Sequence, residues 1–195
     1  MDEMESGEPT VSRARLLAAL DTFGLLDIVS ALQIELQGPI ILFGSQASDN
    51  VCQYVSQQIG ESGGLLMGVA ATAERVAGSY SIICVSEVIA SEKYRSNLVS
   101  LTIDSSIWLS AELRQKVGLM VVGWFHSHLG RGAYFSGADL ATQRRFFSHE
   151  YSLGYVVDPI YDDHAYFLGP ESIELDRQSV LTVPSMSAIV SSLLR

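Results

Sequence analysis

The stretch VVGWFHSHLG at residues 121–130, with Ser136 and Asp139 soon after it, is the most informative part of this sequence. Its polar residues follow the pattern His126-x-His128, seven residues, Ser, two residues, Asp. Two imidazoles and one carboxylate can provide three zinc ligands and leave one coordination position for water, which distinguishes catalytic zinc sites from structural ones. The pattern therefore predicts a metal-dependent hydrolase.

The spacing of the two histidines has a physical reason. Residues 119–125 (LMVVGWF) form an apolar run rich in β-forming residues, which predicts a buried strand. Side chains two positions apart on a strand share one face, so His126 and His128 aim at one point while Ser127 turns away. The glycine-containing loop that follows can bring Asp139 beneath the two rings.

Two alternative interpretations apply to the same residues. Ser136-x-x-Asp139 resembles a capping box at the start of a helix predicted over residues 140–147. The two interpretations are compatible, because a carboxylate near a helix N-terminus stays ionised, as a metal ligand must. His126 and His128 alone are also consistent with polar residues at a surface, so it is the combination with Asp139 that indicates a metal site.

A hydrolase of this kind also needs a proton carrier, and Glu61 is the candidate. It begins the stretch ESGGLLMG at residues 61–68, where a predicted helix has ended and an apolar strand begins. A carboxylate there can take a proton from water and pass it to a leaving amine. The alternative is a solvated loop carboxylate, since the chain has 22 Asp and Glu residues.

Residues 61–68 and 121–143 together resemble the JAMM metalloproteases, also called MPN+ or JAB proteins, and residues 156–159 (VVDP) match a strand that follows in that family. The resemblance covers residues 38–170, and the compact chain and the two glycines after the glutamate are similar to bacterial members. The family's fold is an α+β, cytidine-deaminase-like α-β sandwich, in which helices flank a curved, mostly antiparallel sheet with zinc at one edge. Leu129 departs from the family, which usually has proline there.

The resemblance implies a role for each site residue. His126, His128 and Asp139 bind one zinc ion per chain, with water as the fourth ligand. Glu61 acts as general base and then as general acid, and Ser136 hydrogen-bonds the developing oxyanion.

The resemblance also implies a substrate class. The implied activity is zinc-dependent cleavage of an isopeptide or peptide bond after the C-terminus of ubiquitin or a ubiquitin-like protein, whose tail adds as a β-strand. In a bacterial setting the partners are E1- and E2-like enzymes of a ubiquitin-like conjugation or antiphage pathway. The alternatives are a peptidase that processes a sulfur-carrier protein, and a non-catalytic MPN scaffold subunit that grips its partner through residues 12–36.

Composition excludes several other classes of protein. The net charge is −10, which argues against a nucleic-acid backbone as partner. The acidic residues 1–10 do not resemble a signal peptide, and no apolar run reaches the length of a membrane span. Cys52 and Cys84 both lie in apolar-patterned segments, which predicts two buried free thiols and a cytoplasmic protein.

The predicted organisation has four parts: a disordered N-terminus (1–9), a helical extension (10–31), the catalytic domain (32–183) and a C-terminal helix (184–195). Gly24 can divide the helical segment 12–30 in two. That segment either packs on the domain or forms a homodimer or partner contact through residues 12–36. Polar-apolar alternation predicts a strand over residues 32–36.

The remaining elements follow from periodicity and turn signals. Residues 158–164 are predicted as the turn between the last two strands, so Asp162, Asp163 and His164 are interpreted as a solvated loop and not as a second metal site. The other predicted strands are 40–43, 65–70, 80–88, 98–103, 152–157 and 165–168, and the other predicted helices are 48–59, 105–117 and 184–194.

Overall fold

The computed structural model describes residues 11–71, 82–91, 95–97, 100–102 and 105–195, so the predicted disorder of residues 1–9 lies outside them. The helices are α1 (Arg13–Thr22), α2 (Leu26–Leu36), α3 (Ser45–Ser56), α4 (Ser105–Gln115), α5 (Gly137–Phe146) and α6 (Met186–Leu193). None of these helices combines the length and the apolar character needed to cross a bilayer.

The strands are β1 (Ile40–Gly44), β2 (Gly63–Ala71), β3 (Ile82–Ala90), β4 (Arg95–Asn97), β5 (Ser100–Thr102), β6 (Met120–Ser127), β7 (Leu153–Asp158), β8 (Asp163–Leu168), β9 (Ile173–Glu174) and β10 (Val180–Val183). Eight of them form one sheet in the order β10-β1-β3-β2-β6-β7-β8-β9, and β4 pairs with β5. The sheet is mixed, since β1 is parallel to both its neighbours and β6 is parallel to β7, while the other pairs are antiparallel. This confirms the predicted α+β class.

Helices cover both faces of the sheet, because alternate strand residues point to opposite sides. Leu65 and Met67 of β2 pack in a cluster with α1, α4 and α6, whereas Leu66 and Ala70 pack in a second cluster with α3. All four of these side chains are fully buried. Burying a leucine contributes roughly 1.5–3 kcal/mol, so these two apolar layers anchor the strands that carry the site.

The predicted strand over residues 32–36 is wrong, because these residues complete helix α2. Val29 and Gln33 are buried one turn apart, while Ile34 is 72% exposed. In the helix the polar Gln33 is therefore inside and the apolar Ile34 outside. The alternation of apolar and polar residues over this short window resembled a strand but does not match the burial. The helix ends at Gln37, whose φ of 52° is left-handed, just before a Gly-Pro turn.

The N-terminal helices pack on the domain, as the first alternative predicts. Gly24 has a φ of 71° and separates α1 from α2, which confirms the predicted break. Leu16 and Leu20 are fully buried in the cluster that also contains α6. The Arg15 guanidinium donates to the carbonyl of Leu193 at 2.7 Å, so the first and last helices are also joined by a hydrogen bond.

Two further predictions need correction on the opposite face. Helix α3 spans Ser45–Ser56, three residues earlier than the predicted range 48–59. Its buried residues, Ala47, Val51 and Val55, recur every four positions from the first turn. Val51 belongs to that buried series, so the next residue, Cys52, points outward and is exposed. Cys84 is buried in β3 as predicted, and both thiols are free.

Candidate metal centre

The end of strand β6 places two candidate ligand side chains on the same face of the sheet. Its last residues lie between β2 and β7, with His126 opposite Gly63 on one side and Val156 on the other. His126 and His128 point toward helix α5, and Ser127 turns to the opposite side, as the period of two predicts. The strand ends here, so the rings lie at the edge that the strand termini form.

Three ligand atoms converge beyond the end of β6. The Nε2 atoms of His126 and His128 are 3.2 Å apart, and the Asp139 carboxylate faces both, with Oδ1 3.3 Å from the His126 Nε2 and Oδ2 3.7 Å from the His128 Nε2. All three residues are buried. Ligands bound tetrahedrally at about 2.0–2.1 Å from a zinc ion are separated by about 3.3–3.4 Å, so this spacing fits such an ion.

The chemistry of the ligand atoms also fits a cation. His128 Nδ1 donates to the Gly132 carbonyl at 2.9 Å, which leaves its Nε2 lone pair directed into the site. Burial opposes the charged form of Asp139, but hydrogen bonds with His126 and His128 outweigh burial and hold its pKa well below the usual range. Burial likewise lowers the pKa of His128, but hydrogen bonds with Asp139 and Gly132 outweigh it and raise that pKa. The cluster favours a positive charge at its centre.

The ring of His126 is held by stacking. It lies on the indole of Trp124, with ring centroids 4.6 Å apart and planes within 10°. The indole N–H donates to the Gln143 side-chain oxygen at 2.6 Å, and the Gln143 amide donates to the carbonyls of Ser152 and Gly169. Within the described part of the chain, His126 Nδ1 is buried without a hydrogen-bond partner, so this aromatic support orients the ring.

The capping interpretation of Ser136 and Asp139 is confirmed, and it is compatible with metal binding. Asp139 Oδ2 accepts the Ser136 N–H at 2.7 Å, and Ser136 Oγ accepts the Asp139 N–H at 3.4 Å. The reciprocal pair begins helix α5 and fixes the carboxylate close to both imidazoles. In the cap the Ser136 oxygen is the acceptor, and the Ser136 side chain also helps to lower the pKa of Asp139 by hydrogen bonding.

Glu61 lies two residues before the buried start of β2, and its side chain is only 16% exposed. The interpretation of Glu61 as a solvated loop carboxylate is therefore wrong. Its Oε1 pairs with the Arg131 guanidinium at 2.8 Å, and its charge lies near enough to favour the protonated form of His128. Arg131 could not be predicted as part of this site, since no local pattern joins it to a residue 70 positions earlier.

Asp158, at the end of β7, organises the loop between the histidines and α5. Its fully buried carboxylate accepts five backbone N–H groups, those of Gly130, Arg131, Gly132, Ile160 and Tyr161. Burial raises its pKa, but these hydrogen bonds outweigh burial and lower the pKa to about 2. Because Gly132 in turn accepts from His128, Asp158 supports a ligand without contacting it. The VVDP motif was the sequence signal for this residue.

We expect Asp158→Asn to lower the free energy of unfolding at pH 7 by about 2–4 kcal/mol, because one amide group replaces a charged acceptor of several N–H groups. A carboxyl whose folded pKa is depressed stabilises the fold above its unfolded pKa, and loses that contribution as pH falls through the folded value. The difference between wild type and variant should therefore shrink from pH 4 toward pH 2. Urea unfolding of wild type and variant at pH 7, pH 4 and pH 2 measures this difference in the free energy of unfolding.

Asp162→Asn is the matched control for this prediction, since Asp162 is an exposed carboxylate in the same turn. It should change the free energy of unfolding by less than about 0.5 kcal/mol. Equal stability of Asp158→Asn and wild type at pH 7 would contradict the role assigned to Asp158.

The predicted solvated loop over residues 158–164 is wrong at both ends, because Asp158 is the buried last residue of β7 and β8 begins at Asp163. Asp163 accepts the Ala133 N–H at 3.1 Å and pairs with Arg177 at 2.6 Å. These contacts draw the turn against the loop that follows the histidines. His164 is half-buried within β8, where pairing with β7 accounts for its position.

Comparison with known proteins identifies relatives in two animals. The chain is 34% identical over 92 residues to the 26S proteasome non-ATPase regulatory subunit 14 of Caenorhabditis elegans, covering 39% of this chain and 30% of that protein. It is 52% identical over 42 residues to the subunit of the same name from Drosophila melanogaster, covering 21% and 14%. The chain thus spans less than a third of the length of either relative.

Comparison with solved structures supports the fold. The solution structure of a protein from Desulfitobacterium hafniense superposes with a TM-score of 0.56 at 18% identity, covering 76% of this chain and 97% of that one. At this identity the likeness concerns the fold alone.

The family comparison covers the candidate metal centre. The model of the JAB1/Mov34/MPN/PAD-1 ubiquitin protease family matches residues 44–150, more than half of the chain. This range contains Glu61, both histidines, Ser136 and Asp139. The chain therefore belongs to the JAB1/Mov34/MPN/PAD-1 family.

Proposed function

We propose that this protein is a zinc-dependent isopeptidase or peptidase that cleaves after the C-terminus of ubiquitin or a ubiquitin-like protein. The observation that carries the proposal is the convergence of His126, His128 and Asp139 within ligand distance, next to the shielded carboxylate of Glu61. A set of two imidazoles and one carboxylate leaves an open coordination position, as catalytic zinc sites do. The family match, whose description names a ubiquitin protease, supports the substrate class.

In this proposal His126 and His128 hold the zinc through their Nε2 atoms, and Asp139 holds it through its carboxylate. When bound, zinc supplies Lewis-acid chemistry, which polarises a carbonyl group and makes water a better nucleophile near neutral pH. The Gly132 carbonyl and the Trp124 indole keep the two rings in the ligating orientation.

Glu61 carries the proton in both directions. As general base its carboxylate takes a proton from the attacking water, and as general acid it returns that proton to the departing amine. Its limited exposure and its ion pair with Arg131 hold the carboxylate near His128 and restrict bulk water around it.

Ser136 stabilises the charge that develops on the substrate carbonyl oxygen. Its Oγ accepts from the Asp139 backbone, and in this proposal its hydroxyl hydrogen is donated to the oxyanion when substrate is bound. Removing a preorganised donor of this kind typically costs about 3–4 kcal/mol of transition-state stabilisation relative to the intact enzyme.

The remaining parts of the proposal concern the cellular setting. The substrate tail binds as an added β-strand, and E1- and E2-like enzymes supply the conjugates that are cleaved. A cytoplasmic location agrees with the two free cysteines, since reducing compartments keep thiols unpaired.

The first test is metal removal. We expect purified protein to hold about one zinc ion per chain and to cleave a ubiquitin fusion after its C-terminal glycine. Chelation should abolish cleavage and lower the melting temperature, because a metal that binds only the native state stabilises it. Elemental analysis, a cleavage assay and a thermal scan, each with and without added zinc, measure these effects.

The other outcomes separate the alternatives. Bound zinc with no cleavage of any ubiquitin-like fusion would favour the scaffold interpretation. Cleavage confined to a small carrier protein joined to an amino acid would favour sulfur-carrier processing. A folded protein that takes up no zinc would exclude the proposed mechanism.

A further inference from the structure

Ser127, the residue between the two histidines, has its side chain on the face opposite the metal centre. It is fully buried, although it is a polar residue in a strand whose only other polar side chain is that of His126. Its hydroxyl cannot reach the ligand cluster from that face, so the hydrogen bonds it makes elsewhere account for a serine at this position.

Those hydrogen bonds are made with one residue, Ser62. The Ser127 hydroxyl oxygen accepts the Ser62 N–H at 2.9 Å and lies 3.1 Å from the Ser62 hydroxyl oxygen. The Ser127 N–H donates to the Ser62 carbonyl at 2.7 Å. Ser62 is itself only 2% exposed, so these bonds form out of contact with bulk water.

Fixing the Ser62 N–H also fixes Glu61. The peptide group is planar, so the N–H of Ser62 shares a plane with the carbonyl and the Cα atom of Glu61. A side chain that holds this N–H therefore sets the position and the direction from which the Glu61 carboxylate extends. Arg131 holds the other end of the same side chain at 2.8 Å.

We infer that Ser127 is a positioning residue for Glu61, and this inference rests on the proposed function, in which Glu61 carries the proton. One tripeptide, His126-Ser127-His128, then serves both parts of the chemistry. Its two imidazoles are zinc ligands on one face of the strand, and its hydroxyl positions the base Glu61 from the other face. The end of strand β6 then sets the distance between the proposed metal ligands and Glu61. Ser127 is not a catalytic residue, because it does not reach the substrate.

The test compares Ser127→Ala with Ser127→Thr in the zinc-loaded full chain, using a ubiquitin C-terminal fusion as substrate. We expect Ser127→Ala to lower kcat about 10- to 100-fold, the loss expected when a reacting group moves by about 1 Å. KM should change by less than about twofold, because ground-state binding does not involve Glu61. Zinc content should not change, and Ser127→Thr, which keeps the hydroxyl, should recover most of the lost kcat.

Two controls identify the route of the effect. Ser86→Ala removes another buried serine hydroxyl of the sheet, one that donates to the Met67 carbonyl, and should leave kcat unchanged. Ser62→Ala leaves the Ser62 N–H bonded to Ser127 and should cost less kcat than Ser127→Ala.

Amide hydrogen exchange provides a readout that needs no substrate. Exchange at the Ser62 N–H should be faster in Ser127→Ala than in wild type and unchanged in Ser86→Ala. If zinc-loaded wild type cleaves no ubiquitin-like fusion, the proposed function fails, and unaltered exchange at Ser62 would separately overturn the positioning role. Wild-type kcat in Ser127→Ala, or a loss of kcat that parallels loss of zinc, would also overturn it.

Discussion

Glu61→Gln is expected to lower kcat by about 100- to 10,000-fold, the range that general acid-base catalysis usually contributes. Glutamine has nearly the same shape as glutamate, and its side-chain oxygen can still accept from Arg131, but it cannot take a proton from water. Glu61 is not one of the three ligand residues, so zinc content should stay at the wild-type level. Steady-state kinetics on a ubiquitin fusion, together with elemental analysis of the same sample, measure both quantities.

Glu87→Gln is the matched control for this variant. Glu87 lies on the neighbouring strand β3 and pairs with Arg114 at 2.8 Å, the same separation as in the Glu61–Arg131 pair. The control therefore makes the same chemical change to an arginine-paired glutamate outside the metal centre, and kcat should not respond. Wild-type kcat in Glu61→Gln would refute the assignment of Glu61 as the proton carrier.

The grouping of the three candidate ligands could be predicted from sequence, because their spacing along the chain is set by local geometry. A strand turns every second side chain to the same face, so His126 and His128 had to converge once the segment was recognised as a strand. The first turn of a helix fixes Asp139 relative to Ser136 in the same way. Neither step required knowledge of the rest of the chain.

The supports of the site could not be predicted in this way, because they depend on contacts between distant segments. Asp158 binds N–H groups 26 to 28 positions away, and Ser127 binds Ser62 across 65 positions. These pairs follow from strand register, which residue periodicity does not specify. The role of Glu61 as proton carrier was assigned by family resemblance. Only the folded structure shows that Arg131 holds its carboxylate.

The errors in secondary structure have a related cause. Over residues 32–36 the sequence alternates as a strand does, yet the helix that begins at Leu26 extends through them until the Gly-Pro turn. Packing of Val29 and Gln33 on the domain decided the conformation, and a window of five residues does not contain that information. The prediction that Cys52 is buried was wrong for a similar reason. Apolar neighbours in the sequence do not show which side of helix α3 faces the sheet, and Cys52 lies on the exposed side.

Asp139→Asn is expected to remove zinc and cleavage together while the fold persists. A carboxylate ligand is lost, so zinc affinity should fall by more than the roughly 10- to 100-fold typical of changes to residues that only support a ligand. The cap on α5 should survive, because the asparagine side-chain oxygen can still accept the Ser136 N–H. Zinc titration, the ubiquitin-fusion assay and a thermal scan of the zinc-free protein measure the three effects separately.

Two controls decide whether Asp139 acts as a ligand or only as a helix cap. Asp176→Asn alters another capping aspartate, one that accepts the Gln178 N–H at 2.9 Å, and it should keep full zinc content. Ser136→Ala breaks the other half of the cap on α5 and should lower stability and kcat without releasing zinc. If Asp139→Asn bound zinc as tightly as wild type, its carboxylate would serve the helix alone. Because the cap and the proposed metal site share the Asp139 carboxylate, only the separation of zinc affinity from stability distinguishes the two roles.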